Sequence, residues 1–483
     1  MSALRADQRR VARRSLYGSL LITGAVAATL VPWMLGTLEA MVDLSWSEID
    51  YAAMPEVERL QRLVQIDTTS ATGSEIEAAR YLAGELEAAG IDVHVEALGE
   101  RHANLWAILE GEDPQALVLQ SHLDTNEVDL SQDWRHPPFS GAIDGPWLWG
   151  RGTFDMKSVT IAQLEAMLAL ERTSNALGRR PRRSLILLAT SSEEVGSDLG
   201  SQWIIERHPE LVSRFWAVLT EGGVIEAISR EEIKYWGTSF AAKSYVEVLA
   251  CSASRDRLAI LARDLAVHGH DWRLRITDEV RAFLAFYVGT RTDPYLNELL
   301  ADPDRTIRSQ RRFGDLPYYL RALFRNEVHL FPIEGYEADG GYRLPIMLHL
   351  LPGEELDEEL IERLLPASLT HGVRLTVRPI RDTAEGSPLD HPVPLAIDRL
   401  LETRFQTKAV GPYVLSAFTN DGSFFRAAGV PAYGFTPFLS LSADAGSTMG
   451  PLERITLPAY VEGVEIYREL VQRLAGPVQP AVP

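Results

Sequence analysis

A single cysteine, Cys251, stands among 483 residues. That excludes an internal disulfide framework and leaves the thiol as a small residue suited to a buried position. Positive charge is also scarce: 47 Lys and Arg face 67 Asp and Glu, a net charge of -20. A nucleic-acid binder would show a basic face, so no nucleic-acid partner is expected. The acidic excess suits a soluble body better than a surface for anionic lipids. Histidines number only 11, and none follows His391. No internal repeat and no long low-complexity run is present. What remains is ordinary for a globular protein, 46% hydrophobic and 24% charged, and the length allows more than one domain with large cores.

The N-terminus differs from the rest. Arg5, Arg9, Arg10, Arg13 and Arg14 precede an uncharged stretch from Ser15 to Leu38. At roughly 1.5 Å per residue this stretch can span a bilayer. The arginines predict a cytoplasmic N-terminus, with the body anchored to the membrane on the extracytoplasmic side, periplasmic or lumenal. A cleavable signal is the alternative: Ala25-Val26-Ala27 would serve as the cleavage site, Arg13-Arg14-Ser15-Leu16 is similar to a twin-arginine signal, and the product would be secreted. The apolar run continues past Ala27 through Leu30, Val31, Trp33, Met34 and Leu35, which favours the anchor.

The pattern then divides the chain into a basic segment at 1–14, the anchor or signal at 15–38, a linker at 39–55, the first part of a catalytic domain at 56–226, an inserted domain at 227–378, the second part at 379–475 and a tail at 476–483. Ser74 with Glu77 is a capping-box signature. Ile76, Ala79, Leu82, Ala83 and Leu86 follow at helical spacing, and Gly90 can end that helix. Ile91 to Leu98, Asn104 to Leu109, Ala116 to Gln120 and Leu185 to Ala189 read as strands, and Val159 to Leu170 as a helix. Such alternation predicts an α/β layered domain with a largely parallel centre. The inserted segment, with strands at Tyr245 to Cys251, Arg343 to Leu350 and Arg374 to Arg378, reads as α+β. After Pro379 the alternation returns.

The chemistry gathers just after the strands, where open α/β sheets place their sites. His122 leaves the strand from Ala116, and Asp124, two residues on, is placed to take the other N–H of a ligating imidazole. Asp155 sits in the turn Gly150-Arg151-Gly152-Thr153-Phe154-Asp155-Met156-Lys157, where a carboxylate can bridge two cations and glycine lets backbone approach closely. Glu193 and Glu194 follow a buried strand. In extended backbone they point to opposite sides, so one can bind metal while the other takes a proton from water. Each piece alone has a bland reading as a cap, a turn or a solvated surface.

The order HxD, then GRGTFDMK, then EE is more specific than its parts. It resembles the carboxypeptidase S and aminoacylase family of two-zinc metallopeptidases, an M20-like peptidase family. The likeness runs from about Val57 to Gly223, includes Trp134 through Gly145, and resumes from about Gly411. The resemblance implies an α/β, phosphorylase/hydrolase-like zinc-peptidase catalytic domain with an inserted α+β lid of the dimerisation type. It implies one or two zinc ions held by His122, Asp155 and Glu194, with Glu193 as general base and Asp124 orienting His122. It also implies cleft segments at Thr419-Asn420-Asp421 and Gly434-Phe435, a homodimer through the lid, and a small peptide or N-acyl amino acid as substrate.

The sequence departs from that pattern at two ligands. Thr220 stands where an acidic residue is expected, and Glu221, one residue on, substitutes if the backbone turns there. Met449 stands where a histidine is expected, and a thioether suits softer metals. The lid's Gly-His-Ser-like segment is replaced by Cys251-Ser252-Ala253-Ser254, and His349 precedes Leu350-Leu351-Pro352-Gly353 in place of an arginine. Two functions therefore stand: metal-dependent amide hydrolysis with Glu193 activating water, or a pseudoenzyme that keeps the fold to bind a small ligand or partner.

Overall fold

Alternate residues along two apolar runs serve two different cores. In the strand Asp113–His122, Leu117 and Leu119 join one hydrophobic cluster while Ala116 and Val118 join another. In Arg183–Thr190, Leu185 and Leu187 part from Ile186 and Leu188 in the same way. Successive side chains of a strand point to opposite faces, so both strands lie at the centre of a sheet covered on both sides, which is why they carry no polar alternation.

The computed structural model describes residues 49–478 apart from 269–272, 291–293, 303–304, 307–312, 337–340, 355, 380–384, 416–418 and 440–449. The expected anchor or signal at 15–38 and Met449 lie outside the described residues. Among the described residues no helix is long and apolar enough to cross a membrane. The residues 49–55, expected as the end of a linker, already carry a short turn, Tyr51–Ala53, and Pro55 opens the helix Pro55–Val64. Proline fits a first helical position because its missing N–H would be unpaired there anyway.

The main sheet has nine strands. Its path runs β1 (Val93–Leu98), β2 (His102–Leu109), β6 (Arg183–Thr190), β3 (Asp113–His122), β7 (Phe215–Thr220), β16 (Ala432–Gly434), β9 (Ile233–Ala242) and β15 (Val410–Leu415), with β8 (Val224–Ala227) paired to β9. The β6–β3–β7–β16 centre is parallel, and β1–β2, β2–β6 and β8–β9 are antiparallel. The helices Ser158–Leu177 and Leu457–Ala475 pack together on the first of these faces, tied by Gln163 Nε2 to the Tyr467 hydroxyl at 3.3 Å. The helix Glu75–Ala88 forms where expected, but Ser74 makes no side-chain cap. Instead its backbone N–H donates to Asp67 O at 2.8 Å, so the preceding loop takes over the cap's role of fixing the entry.

A second, five-stranded antiparallel sheet runs β11 (Glu327–Leu330), β13 (Gly341–Leu350), β10 (Ser244–Ser252) and β14 (Arg374–Pro379), with β12 (Glu334–Tyr336) also on β13. It has its own core of Val246, Val248, Leu344, Ile346 and Leu348 under helices Arg255–His268 and Glu358–Leu364. Cys251 lies in β10 and is half-buried rather than fully buried. A small sheet of β4 (Ala142–Asp144), β5 (Trp147–Trp149) and β17 (Arg454–Thr456) brings the late chain beside the turn that carries Asp155.

Candidate metal centre

The parallel strands β3, β6 and β7 end side by side, so the residues that follow them share one edge. His122 is the last residue of β3 and Glu221 is the first after β7. Glu193 and Glu194 occupy a single 3-10 turn, Glu193–Val195, soon after β6. Asp155 lies in the wide helical turn Thr153–Lys157 ahead of Ser158–Leu177. One ligand atom from each of His122, Asp155 and Glu221 lies within 4.8 Å of the other two. Glu221 gets there because the chain leaves β7 through Gly222 and Gly223, at φ 106° and 99°. A Cβ on Gly223 would stand 2.5 Å from Gly237 O, so only glycine allows that exit.

Distances define what the trio can do. His122 Nε2 is 3.3 Å from Asp155 Oδ1 and 3.5 Å from Glu221 Oε1, with no aligned hydrogen bond to either. Ligand atoms about 2.0–2.2 Å from a tetrahedral metal stand about 3.3–3.5 Å apart, so the pair spacings fit a shared cation. The other ring nitrogen, Nδ1, is 2.9 Å from the Asp124 backbone carbonyl and 3.4 Å from its Oδ1. A carbonyl only accepts, so Nδ1 carries a proton, and Nε2 is the ring atom turned toward Asp155 and Glu221, where a metal ion would take the place of its proton.

Asp124 does more than face the imidazole. Its Oδ1 accepts from Glu193 N at 2.9 Å, and its Oδ2 accepts from Glu194 N at 3.0 Å and Ser70 Oγ at 3.2 Å. The expectation that Glu193 and Glu194 point to opposite sides of extended backbone fails here. Ser192 adopts φ 60° and the chain turns, because the Asp124 carboxylate gathers both N–H groups. Glu194 is not part of the tight trio. Its Oε2 accepts from Asn126 Nδ2 at 2.6 Å, and its Oε1 is buried without a partner.

Negative charge is in excess at this edge. Burial, then the Asp155 charge, pushes the Glu221 carboxyl up to about 8. The same two causes raise Glu194 well above the carboxylate range. Burial opposes a charged His122, but Glu221, Asp124 and Asp155 outweigh it and raise the ring well above its ordinary value. Burial also works against an ionised Asp155, which the His122 ring nevertheless holds below its ordinary value. An added cation would relieve every one of these conflicts. The unpartnered His122 Nε2, the unpartnered Glu194 Oε1 and the oxygen-rich donor set all fit a bound metal ion.

Thr220 is turned elsewhere. It is buried, and its Oγ1 donates to Gln120 Oε1 at 2.5 Å, so the residue at the expected acidic position serves a polar network behind the site. Asp421 anchors that network, accepting from Gln120 Nε2 at 2.8 Å, Ser201 Oγ at 2.8 Å and the Ser197 hydroxyl. Asn420 Nδ2 donates to Glu221 O at 2.6 Å. Asn420, Asp421, Gly434 and Phe435 are all buried, so these expected cleft residues brace the edge from behind. Phe424, Phe425, Tyr433 and Phe438 are likewise core. Glu453 was missed by the residue reading. Its Oε2 takes Arg151 Nη1 at 2.6 Å, and its Oε1 accepts from Phe154 N at 3.1 Å and Asp155 N at 3.4 Å.

The model of Peptidase family M20/M25/M40 matches residues 118–473. A succinyl-diaminopimelate desuccinylase of Alkalilimnicola ehrlichii is 34% identical over 160 residues, 33% of this chain and 41% of that protein. The chain thus spans less than half the length of the first curated relatives it matches. A Dictyostelium discoideum protein, Probable carboxypeptidase S-like 2, is 23% identical over 398 residues, covering 76% of this chain and 73% of that one. The crystal structure of the M20 family metallo-carboxypeptidase Sso-CP2 from Sulfolobus solfataricus superposes with a TM-score of 0.65 at 18% identity, over 87% of this chain and 99% of that one. The mixed α/β fold and the matched span agree: this chain belongs to the M20/M25/M40 peptidase family.

Proposed function

We propose that the protein hydrolyses an amide bond in a small peptide or N-acyl amino acid, with one metal ion at His122, Asp155 and Glu221 and with Glu193 as general base. The observation that carries this reading is the ligand spacing of that trio beside the Glu193 turn. Zinc suits a set of one imidazole and carboxylates, and when bound it would polarise the substrate carbonyl and lower the pKa of water. Glu193 accepts the proton of the attacking water and returns it to the departing amine. Asp124 positions both partners, holding the ring of His122 and the backbone of Glu193. The gathered atoms support a single ion rather than a pair, with Glu194 beside the trio. The region at 227–378 acts as a lid and dimerisation surface, and the stretch at 15–38 anchors the body outside the cytoplasm.

The test is amine release from a panel of dipeptides and N-acyl amino acids by zinc-loaded protein, its Glu193→Gln variant and its His122→Ala variant. Turnover by the parent chain and loss in both variants, at unchanged circular dichroism, is the expected result. Full turnover by Glu193→Gln removes Glu193 as the base. A metal-loaded parent chain that binds panel members without cleaving them makes the protein a peptidase-shaped binder.

A further inference from the structure

The second sheet gathers another set of ligand-type side chains. Glu327 and His329 are two residues apart on β11, so they share a face. The β11–β13 register sets Glu327 directly opposite His349. One ligand atom from each of the three lies within 4.8 Å of the other two, and His329 Nε2 is 3.9 Å from Glu327 Oε2. His349 is only 9% exposed. Its Nδ1 and the His329 Nε2 are both buried without a hydrogen-bond partner.

The rings are held in place. Tyr245 stacks on His349 with centroids 3.9 Å apart and planes 5° from parallel, and His329 lies 4.1 Å away from it. Stripping two imidazole nitrogens of water without replacing the hydrogen bonds costs free energy. Two such nitrogens facing one carboxylate make a donor set suited to a metal ion.

We propose that Glu327, His329 and His349 bind one nitrogen-seeking transition-metal dication, of the copper, nickel or zinc kind, at a site separate from the His122 centre. The surroundings select that chemistry. Glu327 Oε2 already accepts from Lys243 Nζ at 3.1 Å and Tyr318 OH at 3.3 Å, and Oε1 accepts from Arg325 Nη2 at 3.3 Å. A hard cation such as magnesium or calcium wants several oxygen ligands, and here it would find one carboxylate whose charge is balanced. Two imidazoles give affinity that does not depend on that charge, and copper(II) leads the series for such donors. Tetrahedral spacing is about 3.3 Å, so ligand atoms that lie within 4.8 Å of one another draw in by at most about 1.5 Å to share an ion.

The experiment uses the full chain with His122→Ala and Glu221→Gln, which removes the first centre. Copper(II) alone is titrated by calorimetry, and the product is read by electron paramagnetic resonance. Uptake of one equivalent with nitrogen splitting from two imidazoles is the expected result. His349→Gln and the half-buried His329→Gln, each added separately, should weaken uptake at least tenfold. No uptake in the parent background overturns the proposal, as does uptake that neither histidine substitution weakens. If His349→Gln unfolds, His329→Gln and the nitrogen splitting still decide. Amide hydrolysis is not a readout, so failure here is distinct from failure of the proposed reaction.

Discussion

At the His122 centre three carboxylates, Asp155, Glu194 and Glu221, crowd one imidazole, whereas at the His349 cluster one carboxylate, Glu327, faces two imidazoles, a lysine and an arginine. The residue types are the same and the electrostatics are opposite. In the first centre burial and mutual repulsion raise Glu194 and Glu221. In the second, burial resists ionisation of Glu327, yet His329, Lys243 and Arg325 hold its carboxyl far below the usual range. Burial, with the His329 and Lys243 charges beside it, brings the His349 ring down to about 2. One cluster is short of positive charge and the other has enough. Ligand spacing alone therefore does not define a site, because what an ion must supply differs between the two.

The largest expected difference concerns catalysis. Only the His122 centre has a further carboxylate, Glu193, on a turn fixed by Asp124. Glu193→Gln keeps the shape and removes the base, so steady-state amide hydrolysis should fall by about 10²–10⁴-fold, the usual worth of a general base. A fall of less than tenfold would erase this distinction between the clusters.

Next comes stability in chelator-treated protein, where the same kind of substitution should act with opposite signs. Lys243 and Glu327 are fully buried, at 0% and 1% side-chain exposure. Glu327→Gln leaves a buried lysine uncompensated, which costs about 3–5 kcal/mol and should lower the thermal midpoint markedly. Glu194→Gln should raise it at alkaline pH. The folded chain holds the Glu194 proton above the ordinary 4.5, so the unfolded chain releases it first. Stability is then lost as pH climbs from about 4.5 through the raised folded value, and a neutral glutamine removes that loss. Equal shifts from both substitutions would mean that the surroundings of the two clusters are not opposed.

A smaller effect is expected at Thr220. Its side chain faces Gln120 Oε1 in the network of Asp421, not the His122 trio. Thr220→Asp sets a carboxylate against acceptors, and should cost about 1–3 kcal/mol, the penalty of an unsatisfied buried polar group. Zinc content, measured by atomic absorption, should stay unchanged. A gain of zinc would show that the strand end can rotate and that Thr220, rather than Glu221, marks the ligand position.

The two clusters also differed in how far the sequence disclosed them. His122, Asp155 and the Glu193-Glu194 pair follow strands that were readable as unbroken apolar runs, so their meeting at one sheet edge was foreseeable. Glu221 was foreseeable only as a possibility, since it depended on two positive-φ glycines. The coupling of Asp124 to the Glu193 turn was hidden, because backbone N–H groups leave no trace in residue identity. Glu453 reaches Asp155 from about 300 residues away, through a small sheet whose three-residue strands are too short to show periodicity. Glu327-Val328-His329 carried the period of two that puts Glu327 and His329 on one face, but His349 joins them by β11–β13 register. A one-residue slip would turn it to the other face, and no local pattern sets that register.

The smallest effect should come from Arg325, which tests whether balanced charge is what separates the clusters. Arg325 Nη2 sits 3.3 Å from Glu327 Oε1, the oxygen not engaged by Lys243, and the side chain is 15% exposed. Arg325→Gln removes one positive charge while Lys243 still pairs with the other oxygen. Glu327 then has a free lone pair and the cluster is less repulsive to a dication. Copper(II) affinity in the background lacking the first centre should rise several-fold, the effect of about 1 kcal/mol from one nearby charge partly screened by water. The gain should shrink with added salt, since Arg325 is not sealed from solvent. Affinity that is unchanged by Arg325→Gln would mean that the imidazoles alone set binding, and the charge contrast between the clusters would then govern stability but not metal choice.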